Sequence, residues 1–522
     1  MAPDVDHQYD VAIVGYGPVG SVLAVLLAQR GHDVVVLERY EAAYPRPRAV
    51  HFDGEVSRMF AACGIGERLP SISSSSGTYE WRNAAGRPLL RFPPTVDDGS
   101  GWPAGNMFCQ PDLEALLVER GGALPTLTVR RGFEVTGIEE RDDVVTIAKR
   151  DGDPVRARYV VGCDGANSTV RRVLDLAVTD LGFFYDWLIC DMVMAVERTY
   201  DPENLQVCDP ARPTTVVSGG PGRRRWEFMR LPDESVDALN EEATAWALLA
   251  PWDVHPGNAT MERHTVYRFQ ALWVDRWRSG RVLVAGDAAH LMPPFAGQGL
   301  CSGIRDATAL AWRLDHVMRG EAGDSLLDSY QAERQPHVRS VIEQSMELGR
   351  VICVPDPVAA AARDEAMGAA LDAAGGVSQM APHPVVTVGL FLADGRPGTG
   401  DRMVQGRVSG SGAGSSTAGE RFDDVFGVGW RLIVAAGVTT ELPADLAAWF
   451  ASIHGVIVRL GARPDADAGT DAVDVAGTYT RWFAQHACVA ALQRPDFRVF
   501  GTTADATGAA GLLAALRAAL GA

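Results

Sequence analysis

The chain has 522 residues, 47% hydrophobic and 22% charged, enough ordinary globular composition for two or three domains and too much for one small module. Its 48 basic and 66 acidic residues leave a formal charge of −18, with Lys149 the only lysine, so the basic footprint of a nucleic-acid binder is missing. Eight cysteines lie apart without C-x-x-C spacing, so neither a disulfide framework nor a metal site is expected.

Residues 1–10 are polar and acidic, without the basic and apolar regions of a signal peptide. No stretch reaches the ~18 consecutive apolar residues that a membrane helix needs. No membrane partner is therefore expected, and cytoplasm is the default compartment.

Residues 9–14 form a short β-branched run, followed at once by Gly15-Tyr-Gly-Pro-Val-Gly20 and a Leu/Ala/Val-rich helical stretch over 21–30. Gly31 stops that helix, and residues 33–37 are a second buried strand ending at Glu38. This is a β-α-β unit with a dinucleotide fingerprint. Gly15 makes the tight bend, Gly17 lets a pyrophosphate approach the backbone, and Gly20 lets helix pack on strand, with Pro18 opening the helix. Glu38, followed by Arg39, stands where an acid hydrogen-bonds a ribose hydroxyl. Gly410 to Gly414 shows similar spacing but has no strand before it and no helix after it, so it carries no such reading.

Arg46-Pro-Arg48 follows the ribose-binding acid; a solvated loop is the plain reading, and a phosphate contact from Arg48 the functional one. Residues 75–104 turn polar, with a serine run beginning at Ser71, and residues 181–279 are rich in strand formers and aromatics. Both look like insertions. Residues 160–172 read as a strand ending in Asp164-Gly, then a helix capped by Ser168. Residues 281–299 read as a strand ending in Gly-Asp287, then a Pro/Gly loop, with a helix from Gly299 to Met318. Further helices are expected over 329–349 and 358–381, strands over 430–434 and 455–459, and a last helix over 508–520. No internal repeat is visible.

The three fingerprints together resemble those of single-component, FAD-dependent aromatic hydroxylases of the para-hydroxybenzoate hydroxylase family, over residues 9–350. Within it the likeness is strongest to 3-(3-hydroxyphenyl)propionate hydroxylases, carried by the segments 46–55, 224–229 and 302–306. The resemblance implies an α/β fold. A Rossmann-like FAD-binding domain would comprise 1–75, 105–180 and 280–350, with an inserted β-sheet substrate domain at 76–104 and 181–279. A helical linker at 351–383 and a thioredoxin-like C-terminal α/β domain at 384–522 would follow. With Cys488 as its only cysteine the tail has no dithiol chemistry; it reads as a packing or dimerisation element, which allows a homodimer.

The resemblance implies FAD as cofactor, NADPH or NADH as a transient reductant, and an aromatic small molecule and O2 as substrates, with oxygen transferred from a flavin C4a-hydroperoxide. It places Gly15, Gly17, Pro18, Gly20, Glu38, Arg39 and Arg48 at the ADP moiety. Gln110, Asp164, Asp287, Gly299 and Leu300 fall near flavin and ribityl chain. Pro293, Gly297 and Gly299 would surround the flavin peroxide, and Pro294 would wall the substrate side. Cys301 stands where many members have Asn, and is read as a small buried residue.

Substrate contacts are expected from Arg224, Trp226, Phe228 and Tyr267, on strand-like segments where core packing is the plain reading. Arg224 could anchor a carboxylate or gate the flavin, although arginines 223–225 read equally as a solvated hairpin end. No side-chain base is assigned, and His290 reads as structural. Baeyer–Villiger oxygenation or epoxidation is the alternative chemistry, and a non-catalytic FAD-binding protein the alternative class. A halogenase is disfavoured because the W-x-W-x-I-P segment is absent.

Overall fold

The computed structural model describes residues 7–378, 386, 388–410, 419–461 and 470–521. The first six residues of the polar N-terminus, the glycines of 411–414 and the boundary at 384 lie outside the described residues. The chain divides into two compact units.

The first unit comprises Met1–Val96, Pro103–Ala307 and Val338–Pro384. Its nucleotide-type sheet orders Val282–Val284, Val155–Gly162, Gln8–Val14, Val34–Glu38 and Leu127–Arg131, all parallel. Both faces of such a sheet are covered, which is why its strands are near-continuous runs of Val, Ile and Leu; Val11, Ile13, Val34 and Val36 are fully buried. Helix Pro18–Ala28 makes the first crossover, and Arg278–Ser279 adds an antiparallel edge. A hairpin, Val135–Arg141 and Val144–Lys149, joins Val155–Gly162 from the other side of the chain order.

The insertions build a second eight-stranded sheet. Its order is His290–Leu291, Ala259–Val274, Val178–Met194, Arg223–Met229, Thr214–Ser218, Asn204–Cys208, Tyr79–Asn83 and Pro88–Phe92. One face packs against the segment 236–254 through Leu188, Cys190, Val216, Trp226, Phe228, Leu239 and Leu249. The other face carries Trp81, Trp187, Ile189, Met229 and Phe269. Helix Pro357–Ala373, inside the stretch expected as a linker, lies beside Pro88–Phe92, with Arg87 reaching Asp372 at 3.0 Å.

The second unit comprises Asp97–Trp102, Thr308–His337 and Val385–Ala522. Residues 308–337, which the resemblance places in the FAD-binding domain, group here with the C-terminal part. The reason is side-chain pairing: Trp312 meets Trp430 at 5.7 Å, and Glu333 bridges Arg313 and Arg494. The central strands run Val456–Gly461, Arg431–Val434, Ala490–Gln493 and Val499–Thr503. The first pair is parallel and connected by helix Ala444–Ser452, and the other two pairings are antiparallel and precede helix Gly508–Leu520. The order is thus β-α-β then β-β-α, and Cys488 is buried within it.

Candidate active site

In the fingerprint each glycine has a distinct physical reason. Gly15 has φ +101°, and a Cβ there would press on the carbonyl of Cys163. A Cβ at Gly20 would collide with the carbonyl of Gly15, so helix and strand pack there without room for a side chain. Gly17 is the opposite case: nothing stands within 4 Å of its would-be Cβ, so this backbone faces open space at the N-terminus of the helix that Pro18 opens. An open, side-chain-free backbone at a helix N-terminus is a cradle for an anion. Glu38 accepts from the N–H of Tyr16 at 2.8 Å and of Tyr40 at 2.9 Å, which sets its carboxylate beside that cradle. Arg39 is exposed and lies over the ring of Tyr40 at 4.6 Å.

Arg48 is exposed and lies over Tyr44 at 4.5 Å. Gln110 is buried, with its amide oxygen accepting from Ala49 N–H at 2.9 Å and its nitrogen donating to Glu114 at 2.7 Å. Both ends of its side chain are thereby engaged, so Gln110 holds the segment next to Arg48. Asp164 accepts from the hydroxyl of Ser168 at 2.5 Å and from the N–H groups of Thr169 and Val170, capping helix Thr169–Val173. Ser168 in turn accepts from Arg171 N–H at 3.0 Å.

Asp287 sits in a turn just past strand Val282–Val284. It is surrounded by protein yet accessible to solvent, so it lines a deep cleft. Burial pushes its carboxyl up, while His290 and Arg48 pull it back. His290, 1% exposed, pairs with Asp306 at 2.7 Å and stacks near Trp277, a structural arrangement. Pro293 is buried and its carbonyl accepts from Ser345. Pro294 is exposed in the tight turn Pro294–Ala296, which ends at Gly297, φ +63°. The imidazole of His51 lies 3.3 Å from where a Gly297 Cβ would be. Helix Gly299–Met318 then begins with half-buried Gly299 and Leu300. Cys301 is fully buried, and burial pushes its thiol far above the ordinary range.

This glycine loop is backed by groups that the sequence did not reveal as a set. Arg305 donates to Glu55 at 2.7 Å, to Asp53 at 2.6 Å and to the Gln298 side chain at 3.0 Å, all buried. It ties the residue between the two loop glycines to the helix that Asp53 caps. The signal was present in the segments 46–55 and 302–306, as two acids and an arginine of opposite charge 250 residues apart for the Glu55 pair.

The expected substrate residues divide between the two faces of the sheet. Trp226 and Phe228 are buried in the core under 236–254, and Arg224, 4% exposed, lies over Tyr200 at 3.7 Å and donates to the carbonyl of Glu203. These three face away from the cleft, a correction to the expectation; nor is 223–225 a solvated hairpin end. Alternation then puts Arg225, Glu227 and Met229 on the opposite face, with Asp191, Ile189 and Trp187 opposite them on one side. Tyr267 belongs to this face too, next to Trp187 in the ladder, and its phenol feels the charges of Asp287, Arg48 and Arg263.

Two loops cross the ends of this face. Arg225 donates to the Arg48 carbonyl at 2.6 Å and Arg263 to the Pro47 carbonyl. At the other end Phe295 packs on Trp187 and Phe269, with ring centroids 5.9 and 6.0 Å apart. Between them lies the row Glu227, Ile189 and Thr265, with Tyr267 beside it 47% exposed. Exposed Tyr267 and half-buried Thr265, beside buried Ile189 and Glu227 on a sheet face whose ends are covered, mark the floor of a cleft.

Residues 8–345 match the family described as "FAD binding domain" and residues 400–519 the "HcaD C-terminal domain". The chain is 42% identical over 519 residues to a probable NADH-specific resorcinol 4-hydroxylase of Rhodococcus jostii (strain RHA1), covering 98% of this chain and 95% of that protein. The chain belongs to the FAD-dependent aromatic hydroxylases. This hydroxylase is also 38% identical over 362 residues to a 3-(3-hydroxy-phenyl)propionate/3-hydroxycinnamic acid hydroxylase of Mycobacterium sp. (strain JLS), covering 69% of this chain and 63% of that one. Among solved structures it resembles the OxyS anhydrotetracycline hydroxylase from Streptomyces rimosus, with TM-score 0.75, 26% identity and coverage of 99% and 100%. The flavin-dependent monooxygenase PieE, solved with FAD and substrate, shares the fold with TM-score 0.80 at 22% identity over 99% of each chain.

The hydroxylase uses FAD, and its residues fit that cofactor: the open Gly17 backbone suits a pyrophosphate, and the accessible Asp287 lines the cleft beyond it. Among the described residues no helix is long and apolar enough to cross a membrane, and no His, Cys, Asp and Glu group could hold a metal.

Proposed function

We propose that this hydroxylase adds one hydroxyl group to a resorcinol-type phenol, using NADH as the reductant. The observation that carries this reading is the extent of the match to the resorcinol hydroxylase, 98% of this chain against 69% for the hydroxyphenylpropionate hydroxylase of Mycobacterium. Free buried cysteines suit a reducing cytoplasm, and the C-terminal unit is our candidate for a homodimer contact.

Bound FAD, once reduced, supplies activated oxygen from O2. The protein's residues do the rest. Gly17 and Gly20 present backbone N–H groups to the pyrophosphate, at a bend that Gly15 makes and a helix start that Pro18 opens, and Glu38 binds the ribose while Arg39 and Arg48 add positive charge nearby. Gln110 and Asp164 set the backbone on either side of the cleft, and Asp287 accepts from the ribityl hydroxyls. Gly299 and Leu300 offer backbone N–H donors at a helix start, where developing negative charge is stabilised, and Gly297, its own N–H held by the Pro294 carbonyl, turns the chain into that helix. Pro293 and Pro294 exclude water from the reacting ring. The phenol lies on the floor formed by Thr265, Ile189 and Tyr267.

The test compares kcat/KM for resorcinol and for 3-(3-hydroxyphenyl)propionate, with NADH and with NADPH. A preference for resorcinol and NADH of tenfold or more supports the reading. A preference for the carboxylated phenol, or for NADPH, contradicts it.

A further inference from the structure

Glu227 is the one carboxylate in the middle row of the cleft floor, and it is buried, its side chain 12% exposed. No hydrogen bond reaches its oxygens from any described residue. Its closest charged neighbour is Arg225 Nη1, 3.7 Å from Oε1 and already donating to the carbonyl of Arg48, while Nε of the same guanidinium serves Asp191 at 2.6 Å. A buried carboxylate normally finds donors, because leaving it without them costs several kcal/mol. Here Nε of that guanidinium serves Asp191 and Nη1 the Arg48 carbonyl, and Nη2 reaches no acceptor among the described residues.

The row around Glu227 supplies no substitute. Ile189 on one side has no donor, and Thr215 on the other donates its hydroxyl to Gln206 at 2.6 Å. Both ends of the face are covered, by the Pro47–Arg48 segment and by Phe295, so what meets Glu227 must come into the cleft between them. A phenolic hydroxyl is the donor that the reaction brings there.

We propose that Glu227 is the catalytic residue that accepts the proton of the substrate's phenolic hydroxyl. The O–H bond of the phenol breaks and an O–H bond forms on Glu227. The electron pair stays on the phenolic oxygen and raises the electron density at the ortho and para ring carbons, where the new oxygen is received. The proton leaves Glu227 to solvent before the next turnover. Such proton acceptance is worth roughly 10²–10⁴ in rate.

Every charged or titratable group facing Glu227 bears on when it is ionised. Burial favours its neutral form, Arg225 on its own strand and Arg263 on the strand beyond favour the ionised form, and Asp191 opposes them. Tyr79 stands on the same face and is itself held protonated by burial. Glu227 is therefore poised nearer to neutral pH than an exposed carboxylate, which suits a group that takes up and releases a proton in each cycle.

The inference rests on a phenol being the substrate, and the experiment separates the two claims. The oxidised holoenzyme is titrated with resorcinol from pH 5 to 9, following the perturbation of the flavin spectrum, beside kcat/KM over the same range. In the wild type, binding tightens and kcat/KM rises as Glu227 ionises. In Glu227→Gln both ascending limbs vanish, kcat/KM near pH 7 falls at least 100-fold, and activity recovers towards high pH as the phenol ionises by itself. Glu227→Asp retains a limb at shifted pH. If either variant keeps the wild-type pH dependence of binding and rate, the assignment of Glu227 is wrong. If neither variant folds with FAD, Glu227 is structural and the assignment is equally wrong. If no phenol perturbs the wild-type flavin, the substrate reading fails first.

Discussion

Nη1 of Arg225 donates to the backbone carbonyl of Arg48 across 2.6 Å, joining the floor of the substrate sheet to the loop that leaves the nucleotide fingerprint. The same guanidinium holds Asp191, and both are buried. Arg225→Met removes those bonds and strands a buried aspartate. Breaking such a pair costs about 3–5 kcal/mol. Urea unfolding should show a loss of that size, with weaker FAD binding, and Arg225→Met with Asp191→Leu should recover most of the stability. A single variant as stable as the wild type would show that the bridge carries no load.

The fingerprint glycines should separate fold from cofactor. Gly15→Ala must be made at φ +101° against a backbone carbonyl, so it lowers the melting temperature of the FAD-free protein. Gly17→Ala places a methyl group in open space and should leave that temperature within a degree or two, while FAD affinity falls at least tenfold because the methyl occupies the pyrophosphate's approach. Equal effects of the two changes on stability would contradict the cradle.

The two faces of the eight-stranded sheet built by the insertions predict opposite phenotypes. Trp226→Ala empties a core site and should cost about 3–5 kcal/mol of stability. Tyr267→Phe, on the accessible face, should leave stability unchanged and raise KM for the phenol several-fold. Thermal unfolding and steady-state kinetics on the pair check this, and a Trp226→Phe variant with altered KM but normal stability would reverse the assignment of faces.

Much of this arrangement was legible in the chain. The helices expected over 299–318 and 508–520 form with those bounds, because a small-residue start or an Ala/Leu run marks them. The face of residues 224–228 was illegible for a physical reason: six of the seven residues of Arg223–Met229 are buried, so no polar alternation distinguishes the sides. Glu227 was hidden in the same way, as a lone acid between Trp226 and Phe228. The placement of 308–337 in the second unit depends on Trp312 and Glu333 meeting residues more than 90 positions away, which helical periodicity cannot show.

Asp287 carries a pH signature. Burial raises its carboxyl above the ordinary range, so the folded protein holds that proton more tightly than the unfolded chain. Stability from this group is therefore undiminished below the ordinary carboxylate pKa and falls as pH rises through the folded value. Asp287→Asn should raise the melting temperature of the FAD-free protein at pH 8 and leave it unchanged near pH 4. Asp287→Ala should lose FAD on gel filtration, since a charge-assisted hydrogen bond is gone. Full flavin retention by the alanine variant would remove Asp287 from the ribityl site.

The most direct test of the central claim is turnover of resorcinol with NADH under isotopically labelled O2, with mass analysis of the product. A hydroxylase predicts a trihydroxybenzene carrying one labelled oxygen on an intact ring, formed in step with NADH consumption. NADH oxidation that yields only hydrogen peroxide, or a product whose new oxygen comes from water, would contradict it.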